Sequence, residues 1–125
     1  MKKLILILTL ALFALSIDAQ NQKPFSLDKQ IAEIGNVKIA HWGKAVFTIK
    51  NQSKQPIFIV NAEGSCGCVR VDYSSKPINP GQTAKITVKY RPVETGEFKK
   101  AAYIELSAGG TYHNVTLVIK GKAVK

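Results

Sequence analysis

Cysteine is almost missing from this chain, occurring only at Cys66 and Cys68 among 125 residues. A single pair excludes the disulfide framework that replaces a core in small secreted domains. Acidic residues are scarce too, eight against eighteen lysines and arginines, and they are scattered. A paired-carboxylate acid–base site therefore has no support. Arginine is confined to Arg70 and Arg91. Because arginine is the residue that clamps phosphate and reads base edges, the net charge of +10 does not signal nucleic-acid binding. The lysines lie on many segments, among them Lys38, Lys50, Lys85, Lys89, Lys99, Lys120 and Lys122. Dispersed lysine keeps strand faces soluble and edges unpaired; an anionic surface polymer is the alternative explanation of the charge. There is no nucleophile elbow, phosphate loop or HExxH helix, and no window carries a helical apolar stripe.

One long apolar run is present, at the start. Lys2 and Lys3 precede Leu4 to Ile17, and Ala19 offers a small residue before Gln20. The run is shorter than the roughly 20 residues a spanning helix needs, so residues 1–19 read as a signal peptide. Ile17 is bulky for its place three residues before the cut, which leaves a retained anchor as the alternative. No cysteine follows to carry a lipid. The expected product is periplasmic or secreted, with no stable membrane insertion. Residues 20–28 read as a mobile lead-in and 29–125 as one domain.

Beyond residue 30 the pattern is period two. In Thr83–Tyr90, Ala84, Ile86, Val88 and Tyr90 share one face while Lys85 and Lys89 share the other. Val115, Leu117 and Ile119 repeat the pattern, as do Ala102, Ile104 and Leu106. Val46–Lys50 and Ile57–Val60 are more apolar, as central strands are. Asn79-Pro80-Gly81, Glu94-Thr95-Gly96 and Ala108-Gly109-Gly110 mark turns. With strands around Ile31–Ala40 and Val69–Tyr73, the count reaches about seven antiparallel strands. That number in about 100 residues predicts an all-β, immunoglobulin-like β-sandwich. Alternating strand direction puts the His41-Trp42-Gly43 turn, the cysteine loop and the Arg91 turn at one end, and His113 at the other.

Residues two apart on an extended chain face the same way, which aligns Cys66, Cys68 and Arg70. The two Cα atoms would then stand about 6.6–6.8 Å apart, at the upper limit for a disulfide, unless Gly67 bends the chain. Three readings stay open: a structural pair or simple disulfide, thiol–disulfide exchange, and a soft-metal site for an ion such as Cu(I). His41 is a candidate third ligand beside Cys66 and Cys68. A finger-type zinc site does not match the spacing of the two cysteines and two histidines. Trp42 reads first as a plug for the sandwich end and second, with Arg70, as an interaction surface.

The segment from Phe47-Thr48-Ile49-Lys50-Asn51 through Pro56-Ile57-Phe58-Ile59 to Ser65-Cys66-Gly67-Cys68 resembles an exported bacterial family, domain of unknown function 1573. Pro77-Ile78-Asn79-Pro80-Gly81, Val88-Lys89-Tyr90, Gly96-Glu97-Phe98 and Ile119-Lys120-Gly121 continue the resemblance. Ile49 stands where the family has a second aromatic, and Val69 where it usually has threonine. The resemblance implies a sandwich of the major-sperm-protein and pilus-chaperone type in an exported protein, commonly of Bacteroidetes, and implies no activity. The reading is a non-enzymatic interaction module with an envelope or extracellular protein as partner. Its rival is soft-metal binding or thiol exchange through Cys66 and Cys68.

Overall fold

Alternation along Thr83–Tyr90 buries Ile86, Val88 and Tyr90 and turns Lys85 and Lys89 away from the core. In the computed structural model, which describes residues 23–125, the same pattern builds eight strands. These are β1 (Phe25–Leu27), β2 (Ile31–Lys38), β3 (Gly43–Asn51), β4 (Ile57–Gly64), β5 (Val69–Asp72), β6 (Thr83–Tyr90), β7 (Gly96–Ala108) and β8 (Thr111–Val124). The expected signal peptide lies outside the described residues. One sheet has the order β1-β3-β6-β5 and the other β2-β8-β7-β4. Between them Phe47, Ile49, Ile86, Ile104, Leu106, Leu117 and Ile119 are essentially sealed from solvent. Burial of each such side chain stabilises the fold by about 1.5–3 kcal/mol.

All pairings are antiparallel except β2 with β8, which run parallel. Parallel neighbours need a long connection, and the five strands between these two supply it.

Two expectations are corrected here. Residues 20–28 do not form an unattached lead-in throughout, because Phe25–Leu27 pairs with Ile49–Asn51 as β1. Three residues are too few for alternation to show. What docks them is Phe25, buried in the core with its ring edge-on to His113. The Asp28 carboxylate then accepts the backbone N–H groups of Thr48 and Lys29, each at 2.9 Å. The second correction concerns β4. Its apolar run suggests a central strand, yet it forms a sheet edge, with Phe58 and Val60 exposed.

At the end of β3, Asn51 is fully buried and is the one polar side chain so placed among the described residues. Its Nδ2 donates to the carbonyls of Gln55 and Ile78, both at 2.7 Å. Its Oδ1 accepts from the Ser53 N–H at 2.8 Å and the Ser53 hydroxyl at 2.7 Å. Its backbone carbonyl accepts the Gly81 N–H at 2.8 Å, and its own N–H donates to Gln82 at 2.9 Å. The Asn79–Gln82 turn reaches this position because Gly81 has φ of 79°, a conformation glycine adopts without penalty.

Asn51→Ala should cost about 3 kcal/mol, since it strips bonding partners from buried backbone groups. Urea unfolding should show a lower midpoint at unchanged slope. The Thr48 N–H holds the Asp28 carboxyl below its ordinary value of 3.8, with Lys29 assisting. A lowered folded pKa means that stability from Asp28 is complete above the ordinary value and lost as pH falls through the folded one. Asp28→Asn should therefore flatten the acid limb of a melting-temperature profile in that window.

Candidate functional site

The connection from β4 to β5 carries the chain from one sheet to the other at one end of the sandwich. It starts anchored: the Ser65 N–H donates to the Ala101 carbonyl at 2.8 Å, and the Ala101 N–H returns to the Ser65 hydroxyl at 3.2 Å. Gly64 permits the fold-back, since a Cβ there would sit 2.6 Å from the Val69 carbonyl oxygen. The Val69 N–H then bonds the Cys66 carbonyl at 3.1 Å, closing a four-residue turn.

That turn replaces the extended geometry expected of Cys66 and Cys68. Their Cα atoms lie 5.3 Å apart and the two sulfurs are joined as a disulfide, within the ordinary range for a bridge. Both cysteines pack partly buried against the core. Gly67, between them, does not adopt a left-handed φ, and no atom lies within 4 Å of where its Cβ would be. Neither backbone conformation nor crowding explains glycine here. In the paired state neither sulfur is a free thiolate.

Opposite this turn stands the β2–β3 connection. The His41 N–H donates to the Lys38 carbonyl at 3.1 Å, and Ala40 takes a φ of 66°. A left-handed alanine carries a cost of about 1–2 kcal/mol. It is held by bonds from the Ala40 N–H to the Pro92 carbonyl at 2.9 Å and from the Arg91 Nε to the Ala40 carbonyl at 3.1 Å. The Arg91 backbone N–H in turn donates to the Cys68 carbonyl at 3.1 Å. Arg91 thus ties the cysteine turn to the β2–β3 connection.

Trp42 does not plug the sandwich. It is 41% exposed, while Pro92 is fully buried at this end. The Arg70 guanidinium lies over the Trp42 ring, 5.0 Å from its centre, a cation–π geometry. A groove of about 380 Å³ runs between the connections, lined by Ala40, Trp42, Gly67, Cys68, Arg70 and Arg91 among others. No acidic residue lines it. The ion pairs of the described residues are Lys29–Asp28 and Lys89–Asp72, so neither arginine is neutralised by a carboxylate.

The structure thus brings Cys68, Trp42 and Arg70 together but not His41. The His41 Nδ1 is 3.0 Å from the Ile39 carbonyl, and the residue does not line the groove. No three His, Cys, Asp or Glu side chains gather as a metal set among the described residues. His113 packs on Phe25 at the opposite end. Arg91, Ala40 and Pro92 were not singled out by sequence reasoning. Arg91 had one available signal, as half of the chain's arginine content at a turn assigned to this end.

Comparison with curated proteins finds no match. Among solved structures, PapD-like domain 7 of human CEP192 is similar at a TM-score of 0.70 and 8% identity, covering 85% of this chain and 91% of that one. The VesB protease of Vibrio cholerae is similar at 0.67 and 15%, covering 80% of this chain but only 32% of its own. A protein of unknown function from Porphyromonas gingivalis W83 is similar at 0.65 and 12%, covering 78% of this chain and 46% of its own. The chain therefore spans about a third of the second structure and under half of the third. At such identities the likeness establishes the immunoglobulin-like, PapD-like sandwich and nothing about chemistry. The sequence pattern described as Protein of unknown function (DUF1573) matches residues 25–123, which include β1 and the cysteine turn, and the chain belongs to that family.

Proposed function

We propose that this protein is an exported, non-enzymatic interaction module that engages an envelope or extracellular protein through the groove at the cysteine end. The observation that carries this reading is the gathering of Trp42, Arg70 and Arg91 around the Cys66–Cys68 turn. Exposed tryptophan and arginine are the residue types that dominate binding energy at protein interfaces. The guanidinium stacked on Trp42 is pre-organised, so little freedom is lost on contact. With two unneutralised arginines and no acid in its lining, the groove suits a carboxylate-bearing segment of the partner. The sandwich supplies rigid strands to hold these groups in place.

A second reading has its own support in Gly67 and Cys68, which line the groove. A thiolate of a partner dithiol can reach the disulfide from the open side of Gly67. Its attack on the Cys68 sulfur forms a mixed disulfide, and the electron pair of the broken S–S bond leaves on Cys66 as a thiolate. The partner's second thiol then resolves the mixed disulfide, so that the partner is oxidised as the Cys66–Cys68 pair is reduced. The reduced pair offers two sulfur ligands to a soft ion such as Cu(I).

Capture from envelope extract with wild type, Trp42→Ala, Gly67→Ala and Cys66→Ser with Cys68→Ser separates the readings. The module reading expects Trp42→Ala to weaken partner affinity by at least about tenfold. It expects the double serine variant to keep the same partner. Gly67→Ala should leave the melting temperature unchanged, because its Cβ meets nothing. A partner that survives Trp42→Ala but disappears from the double serine variant would replace the module with the thiol reading.

A further inference from the structure

Basic residues far apart in sequence converge on the outer face of the first sheet. Lys44 pairs across strands with Lys89, and Lys89 with Arg70, so three cations occupy one rung. Lys85 stands opposite Thr48 and Lys50 opposite Thr83 on the same face. Adjacent strands are about 4.8 Å apart and same-face residues about 6.8 Å apart along a strand, which makes this a dense array. Like charges directly opposed destabilise a sheet. Only one carboxylate relieves them, Asp72 at 2.8 Å from Lys89. Asp72 is the sole acid in the strands of this sheet, whereas Glu33, Glu63, Glu97 and Glu105 all lie in strands of the other. Solubility needs mixed charge and not such segregation.

The shape of the array limits what it can bind. Its residues are in register over three strands, so it is a broad pleated surface and not a cleft. Lysine ammonium groups act as point charges without the fork that selects a single carboxylate. At the centre, opposite Thr87, Val46 is 38% exposed. A small anion or a narrow segment would meet few of these groups at once. A flat surface of repeated negative charge would meet all of them.

We propose that the outer face of the first sheet docks on an anionic lipid surface. Lys44, Lys50, Lys85, Lys89 and Arg70 face the phosphate headgroups, and Val46 lies against the headgroup layer. Each basic residue near such a surface raises affinity roughly fivefold, within a Debye length. This face is separate in its lysines from the end groove, so the two surfaces can be tested independently.

The test is vesicle co-sedimentation of the full chain as expressed and purified from cells, so that wild type and variant share whatever residues 1–19 contribute. Vesicles of phosphatidylglycerol mixed with phosphatidylcholine are compared with pure phosphatidylcholine at about 0.05 M and about 0.5 M salt. The expected result is at least about tenfold tighter binding to the anionic vesicles at low salt, lost at high salt. Lys44→Glu with Lys50→Glu and Lys85→Glu should abolish that preference. These residues are exposed, and an unchanged melting temperature verifies the fold of the variant. A second variant, Lys→Gln at the same three positions, should lose part of the preference without reversing charge. Equal binding to the two vesicle types would overturn the proposal, as would a preference that survives the triple reversal. Tighter, competing binding to a soluble acidic polysaccharide would also overturn it, in favour of a polymer ligand.

Discussion

Asn51 closes the sandwich at the end away from the cysteine turn, and most of the structure depends on its placement. Its side chain holds the start of the β3–β4 connection and the Ile78 backbone together, while its own backbone meets Gly81 and Gln82. These bonds lock β3 against β6. A slip of one residue in that pairing would exchange the two faces of a strand, sending Lys44, Thr48 and Lys50 inward and Phe47 and Ile49 outward. It would also shift Trp42 relative to Arg91, since these residues flank Gly43 and Tyr90, the last pair of the same ladder. A buried amide is tolerated only when all its hydrogen-bonding capacity is used, and here it is used fully. The amide therefore specifies register, which apolar packing alone specifies weakly at a turn.

From that register follows the geometry of the far end. The cysteine turn is the crossing from an edge of one sheet to an edge of the other, with Ser65 tied to β7 and Cys68 tied to Arg91. A covalent link between residues two apart adds little constraint on the unfolded chain, because the loop it closes is so short. Its effect is local: it holds the crossing as a turn and keeps Gly67 open beside it. Ala40 in a left-handed conformation and a fully buried Pro92 complete the same end. The bonds to Pro92 and from Arg91 hold the Ala40 backbone in that conformation.

The charge follows the same geometry. Along the sequence the lysines are dispersed and look like ordinary solubilising residues. Folding gathers Lys44, Lys50, Lys85 and Lys89 with Arg70, because alternate positions of β3, β5 and β6 all point outward from one sheet. Glu33, Glu63, Glu97 and Glu105 lie in strands of the opposite sheet, leaving Asp72 as the one acid within the strands of the first. Neither property can be seen one strand at a time.

Much of the fold could be read directly from the order of residues. Period-two alternation in Thr83–Tyr90 and Val115–Ile119, with Asn79-Pro80-Gly81 and Gly109-Gly110 between strands, implied a sandwich, since side-chain direction in a strand is a local property. The same alternation placed the cysteine turn, Trp42 and Arg91 at one end and His113 at the other. Strand β1 was not legible, because three residues carry no period and their docking depends on Phe25 reaching the core beside His113. The edge position of β4 was not legible either, since an apolar run does not reveal whether a neighbour lies on both sides. Pairing the two cysteines required a turn that local spacing left open, and the replacement of Trp42 by Pro92 as the buried end residue required the opposing connection. What the sequence by itself determined was the face on which each strand residue lies, a matter of backbone geometry within a few residues. Which strands are neighbours, and hence which charges, rings and sulfurs meet, was decided only by tertiary structure, because those contacts join residues tens of positions apart.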